Sequence, residues 1–185
     1  VIKHFEFNLS RMVQLARSCG AKVLIVSPAS NLKDCSPFKS QQREGLRNEQ
    51  TEQFALLLKQ ARSLHRQGKL EPAMTQYEQA MAIDNRYAEL HYQVAQLLLE
   101  KQQATEALLA SKRAQEEDIC PLRALDSIHE SIQRVAASMD VPLVDFRQLL
   151  AEQCQQEHQH RLPGQEYFLD HVHLRPEIHR QLAIH

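Results

Sequence analysis

The sequence of 185 residues contains no tryptophan, only 4 glycines, and only 5% aromatic residues. None of the glycines lies in a GxGxxG or GxxxxGK[ST] loop, so a backbone cradle for a nucleotide's phosphates is excluded. The 4 cysteines, Cys19, Cys35, Cys120 and Cys154, form no CxxC pair. That argues against a zinc knuckle or a thioredoxin-type site and leaves the thiols as buried or idle side chains. No apolar run approaches the roughly 18 residues of a membrane span. Charge is balanced, with 22 Lys and Arg against 23 Asp and Glu and a formal net charge of -1. No global pull toward nucleic acid or an anionic membrane follows from it. No signal-type leader opens the sequence, and Val1 together with a helical pattern at the far end reads as a piece of a longer polypeptide.

What is present is enough apolar content, 43%, to bury a core. "FNLSRMVQLARSCG" places Leu9, Met12, Val13 and Ala16 at helical steps, with Gly20 as its stop. "AKVLIVS" is a short β-branched run of the kind that forms a strand buried on both faces. "PASNLKDCSPFKSQQ" is a loop, with Asn31, Asp34 and Ser36 as turn formers or residues near a substrate entrance. Farther on, "LDSIHESIQRVAASMD" and "RQLLAEQCQQEHQ" predict helices, "VPLVDF" predicts a second buried strand, and "PEIHRQLAIH" predicts a last helix with Pro176 in its first turn.

Between these parts the texture changes. Ala61, Ala73 and Ala80 recur as Ala95, Ala107 and Ala114, each 34 positions later. Small residues at such offsets let paired helices pack closely, and Tyr77 reads as a bulky plug between them. The period and the alanine positions resemble the tetratricopeptide repeat (TPR), with repeats at about 54–87 and 88–118. The sequence departs from that pattern in three places: no tryptophan near the start, Asn85 where proline is usual, and Gln102 where the turn glycine would be. Two repeats are fewer than the roughly three an independent solenoid needs, so flanking helices are expected to cap them. By repeat register the groove positions include Arg62, His65, Arg66, Tyr92 and Gln96, a set that fits a protein segment but lacks the Lys/Asn clamp for a C-terminal carboxylate.

Without the repeats, the order is helix, strand, loop, helix, strand, helix, loop, helix. That alternation predicts a parallel sheet with helices on its faces. The resulting division is an α/β part at 1–49 and 119–185, interrupted by an all-α repeat segment at 50–118. The sheet would be completed by residues before Val1 or by another chain.

"YFLDHVHLRP" carries the remaining chemistry. Asp170 and His173 are three apart, a spacing that in a turn brings a carboxylate onto one imidazole nitrogen. The other nitrogen is then poised to take a proton from a hydroxyl nucleophile. The other readings are a solvated turn and a metal cluster of His171, His173 and His179 with His158 and His160 nearby. No HExxH pattern supports the metal, and no metal or cofactor is expected.

"FLDHVHLRPEIHRQLA" resembles the last motif block of the SGNH/GDSL hydrolases. "KVLIVSPASNLKDCSPFKS" looks like the middle of SGNH-type bacterial proteins that carry TPR repeats. The resemblance implies a partial flavodoxin-like α/β/α sandwich with the TPR insertion, hydrolysis of an ester substrate, His173 as general base and Asp170 as its orienting acid. His171 and Ile178 stand where the family often has glycine. The family's serine nucleophile and its Gly and Asn oxyanion blocks have no counterpart in these residues, so this piece is expected to be inactive by itself. The alternative is a TPR-mediated interaction module with a non-catalytic α/β support. Nucleic acid is not an expected partner, and the sequence does not indicate a compartment.

Overall fold

The computed structural model describes residues 1–184. In chain order the elements are α1 (Ile2–Ser18), β1 (Ile25–Val26), α2 (Asn48–Arg66), α3 (Leu70–Ile83), α4 (Ala88–Glu100), α5 (Ala104–Glu116), α6 (Asp126–Ser138), β2 (Leu143–Val144), α7 (Phe146–His158) and α8 (Pro176–Leu182). The last position of the expected final helix lies outside the described residues. Helices dominate, and this overturns the α/β/α sandwich. Among the described residues the only sheet is β1 paired with β2, two residues each, parallel, with Ile25 opposite Leu143 and Val26 opposite Val144.

The reason lies in "VLIVS". A strand buried on both faces needs every side chain covered. Here Ile25 and Ser27 are buried, whereas Leu24 is 58% and Val26 38% exposed. An apolar run and a buried run are not the same thing. The same lesson applies to α1, where Val13 is buried but Met12 is 66% exposed.

The repeat segment holds the largest core. α2 packs on α3 and α4 on α5 as antiparallel pairs, and all six of the 34-spaced alanines are buried. Tyr77 fills the space that they leave, among Phe54, Leu57, Leu90, Val94 and Leu97. Two smaller clusters flank it. One joins Val13 of α1 to Ile25, Ile132, Ala136 and Val141. The other joins Phe146, Leu150 and Cys154 of α7 to Tyr167, Phe168 and Ile178. Helix ends are closed locally: the Gln50 side chain accepts from the Arg47 amide at 3.1 Å, and Asp145 caps α7 by accepting from the Gln148 amide at 3.1 Å.

The departures from the TPR pattern have structural consequences. Asn85, where proline is usual, has its carbonyl 2.6 Å from Nε2 of the buried His91. Gln102 adopts φ 60, the left-handed region that Gly68 occupies with φ 72 in the first repeat. A side chain costs roughly 1–2 kcal/mol there. Gln102→Gly is therefore expected to raise stability by about 0.5–1 kcal/mol, and Gly68→Ala to lower it by about 1 kcal/mol, both read from thermal unfolding.

Burial lowers the pKa of His91, His129 and His160 below the usual imidazole value. A base held neutral in the fold binds its proton more readily once unfolded. Stability should thus be intact at pH 7.5 and begin to fall as pH drops below about 6.5, the unfolded value. The expected loss by pH 5.5 is on the order of 1 kcal/mol in urea unfolding. His91→Gln, which keeps a donor for the Asn85 carbonyl, should flatten the slope; an unchanged slope would remove His91 from the account.

Candidate functional site: a divided groove and an exposed Asp–His pair

α2 and α4 line the inner face of the repeat segment. Along α2 an open cleft of about 510 Å³ is bounded by Ala55, Leu58, Lys59, Arg62, His65 and Arg66, with Gln93 from α4. Arg62 Nη2 lies 3.3 Å from Glu89 Oε1, which also accepts from Gln93 Nε2 at 2.7 Å. His65 Nε2 lies 3.1 Å from Glu100 Oε1.

The five residues grouped from repeat register do not lie together. Arg62, His65 and Arg66 line the cleft. Tyr92 and Gln96 face the chain's own segment after β1. Gln96 Nε2 donates to the Lys33 carbonyl at 2.7 Å. The Tyr92 phenol is pushed up to about 12 by burial, with the Asp34 and Glu89 carboxylates adding to the effect. The second-repeat half of the inner face is therefore occupied in cis.

That segment also supplies the cap. Among the described residues, the buried side chains that join the repeat core from outside it come from loops, where flanking helices were expected. Leu32 and Leu162 enter the repeat core directly. The Ser111 hydroxyl donates to the Leu32 carbonyl at 3.1 Å, and the Leu32 amide donates to the Pro163 carbonyl at 2.8 Å. Arg123, 4% exposed, donates from Nη1 to the carbonyls of Asn31 and Cys35, each at 3.1 Å. Asp118 accepts from the amides of Phe38 at 2.7 Å and Lys39 at 3.0 Å. Asn31 is a turn former as its type suggests, its Oδ1 accepting from the Asp34 amide at 2.8 Å. The Lys33 ammonium meets Glu166 at 2.8 Å, and a Cβ on Gly164 would run into the Asp34 carboxylate and the Lys33 stem.

Leu32, Ser111, Asp118 and Arg123 are the residues that sequence reasoning missed. The only local signal was the buried-type Leu32 inside an otherwise polar loop.

Asp170 and His173 sit at the tip of a small turn. It is closed by an antiparallel bridge between Phe168 and Leu174 and by the Leu169 amide donating to the His173 carbonyl at 2.8 Å. His173 Nδ1 lies 2.7 Å from Asp170 Oδ2. Asp170 Oδ1 accepts from the amides of His173 at 2.8 Å and Val172 at 2.9 Å. These backbone donors first, then the imidazole, hold the Asp170 carboxyl well below the usual carboxylate range. The His173 side chain is 75% exposed, and no serine hydroxyl bonds to its ring among the described residues. His171 does not join the pair; its carbonyl accepts from the Asn31 amide at 2.9 Å, tying this turn to the capping segment.

His158 and His160, the two histidines weighed as neighbours of a metal cluster, have other partners. His160 Nδ1 accepts from the Leu162 amide at 3.3 Å and lies 3.3 Å from Cys154 Sγ, while His158 stacks on His160. Among the described residues, no three His, Cys, Asp or Glu side chains are arranged to hold a metal ion. No helix there is long and apolar enough to cross a membrane.

A further cleft of about 330 Å³ opens at the carboxyl ends of β1 and β2. Its acids are committed internally. Asp145 accepts from Ser27 at 2.8 Å and from Gln133 at 3.4 Å, and Asp126 pairs with Arg147.

A family model described as TPR repeat matches residues 61–102. That span runs from the C-terminal part of α2 through α3 and α4, so the chain carries a TPR repeat within the segment that the alanine spacing marked. No curated protein and no solved structure matches the chain. The match covers the repeat alone, and the SGNH/GDSL resemblance finds no counterpart in these comparisons.

Proposed function

We propose that the chain works as a TPR protein-binding module with half of its groove left open. The open cleft along α2 carries this reading, because its lining falls at the inner-face positions of a repeat while the α4 half is already filled by Lys33–Cys35. A concave patch with an apolar floor and a few polar groups is the usual form of a recognition site. The module thus makes two uses of one surface: α4 holds the chain's own loop, and α2 faces outward to a partner segment.

The test is photo-crosslinking in cells with a photoreactive amino acid at position 59 or 66, against position 78 on α3. Adducts of defined mass from 59 and 66, and none from 78, are expected. Equal labelling from all three positions would overturn the reading.

A second reading keeps Asp170 and His173 as an acid–base pair of a serine ester hydrolase of SGNH/GDSL type. The 2.7 Å contact and the two amides fixing the carboxylate support it. In such a site the aspartate orients the ring and stabilises the imidazolium formed when a serine is deprotonated. The serine must come from outside these residues. In the parent protein, hydrolysis of a short p-nitrophenyl ester should fall at least about 10³-fold in His173→Ala. Equal rates would end this reading and leave the first untouched.

A further inference from the structure

α2 presents Lys59, Arg62 and Arg66 to the open cleft. Seven residues of helix span about 10 Å. Arg62 is paired with Glu89, and Glu100 lies in hydrogen-bond contact with His65. Lys59 and Arg66 make no ion pair among the described residues. Positions 55, 56 and 63, the helical neighbours of Lys59 besides Arg62, are Ala, Leu and Ser, so α2 offers it no acid. Like charges three and four apart weaken a helix. Arg66 gains from its place in the last turn, where the helix dipole favours a cation. Lys59, in mid-helix, has no such compensation. The whole chain carries a net charge of only -1, so this stripe is local and not a by-product of composition. On the N-terminal side of Lys59 the cleft is apolar, with Ala55 one turn away and the edge of Leu58 beside it.

We infer that the open half-groove takes an acidic segment: two carboxylates about 10 Å apart, one for Lys59 and one for Arg66, with an apolar side chain over Ala55 beyond the Lys59 end. This rests on the half-groove reading above. Glu89, the acid nearest the cation stripe, does not repel such a ligand, because Arg62 and Gln93 already hold its carboxylate.

Random 12-residue peptides displayed on phage would be selected against the whole chain and against K59E/R66E. Both replaced side chains are exposed, and the variant's helical spectrum and melting temperature check its fold; K59Q/R66Q serves if the reversal unfolds it. The wild-type pool should be enriched in Asp and Glu beside Leu, Ile or Phe. Its peptides should bind at least about tenfold more weakly at 300 mM than at 50 mM salt, and about tenfold more weakly to the variant. The variant's own pool should favour Lys and Arg. Enrichment without acidic bias, or the same pool from both proteins, would overturn the inference while leaving the half-groove reading standing. No enrichment, together with no crosslinks from position 59, would overturn both.

Discussion

Truncating Tyr77 to alanine is expected to remove about 3–5 kcal/mol of stability, lowering the melting temperature by roughly 10 °C. Tyr77 is fully buried and plugs the space between the two helical pairs, against Phe54, Leu90 and Leu97. The alanines buried beside it, Ala61, Ala73 and Ala80, are too small to fill the cavity. The hydroxyl has a separate role in this prediction. It is buried without a hydrogen-bond partner among the described residues, and burial pushes the phenol up to about 12. An unpaired buried hydroxyl is a cost. Tyr77→Phe is therefore expected to be neutral or stabilising by up to about 1 kcal/mol. Chemical unfolding of the two variants separates plug from hydroxyl. A Phe variant as unstable as the Ala variant would show that an unseen partner, and not packing, holds this position.

The second large effect is expected at the capping segment. Arg123→Ala should cost about 2–4 kcal/mol, since the carbonyls of Asn31 and Cys35 lose their donor in a buried setting. Leu32→Ala should cost a similar amount, about 2–4 kcal/mol, by opening a cavity at the end of the repeat core. The two changes loosen one segment, so their combination should cost less than the sum. Arg123 Nη2 is itself unpaired and buried, so Arg123→Met should lose less than Arg123→Ala. The decisive readout is local. Trypsin should cut after Lys33 slowly in the native protein and at least tenfold faster in Arg123→Ala, because the segment leaves α4 before the molecule unfolds. Unchanged cleavage at Lys33 would mean that Arg123 does not hold the segment.

The repeat was legible in the sequence because its signal is periodic and its cause is local. Alanines 34 residues apart mark where helices touch, and all six are buried. The Asp170–His173 contact was legible for the same reason, being made across three residues within one turn. The sheet was misjudged because an apolar run was equated with a covered one. Leu24 and Val26 turn outward, and the parallel pairing ends after two residues. The division of the groove could not be read at all. Gln96 and Lys33 are 63 positions apart, and the segment that brings them together has no period, only turn residues. Register alone assigned Tyr92 and Gln96 to the same surface as Arg62. What it could not supply was the loop that covers half of that surface.

The central claim is that α4 is closed by the chain's own loop and α2 is not. The most direct measurement is nuclear Overhauser contact in solution between the Gln96 side-chain amide protons and the backbone protons of Lys33 and Asp34. The account predicts these contacts in the free protein, with none from Lys59 to any distant segment. Their absence, with Gln96 freely solvated, would contradict it.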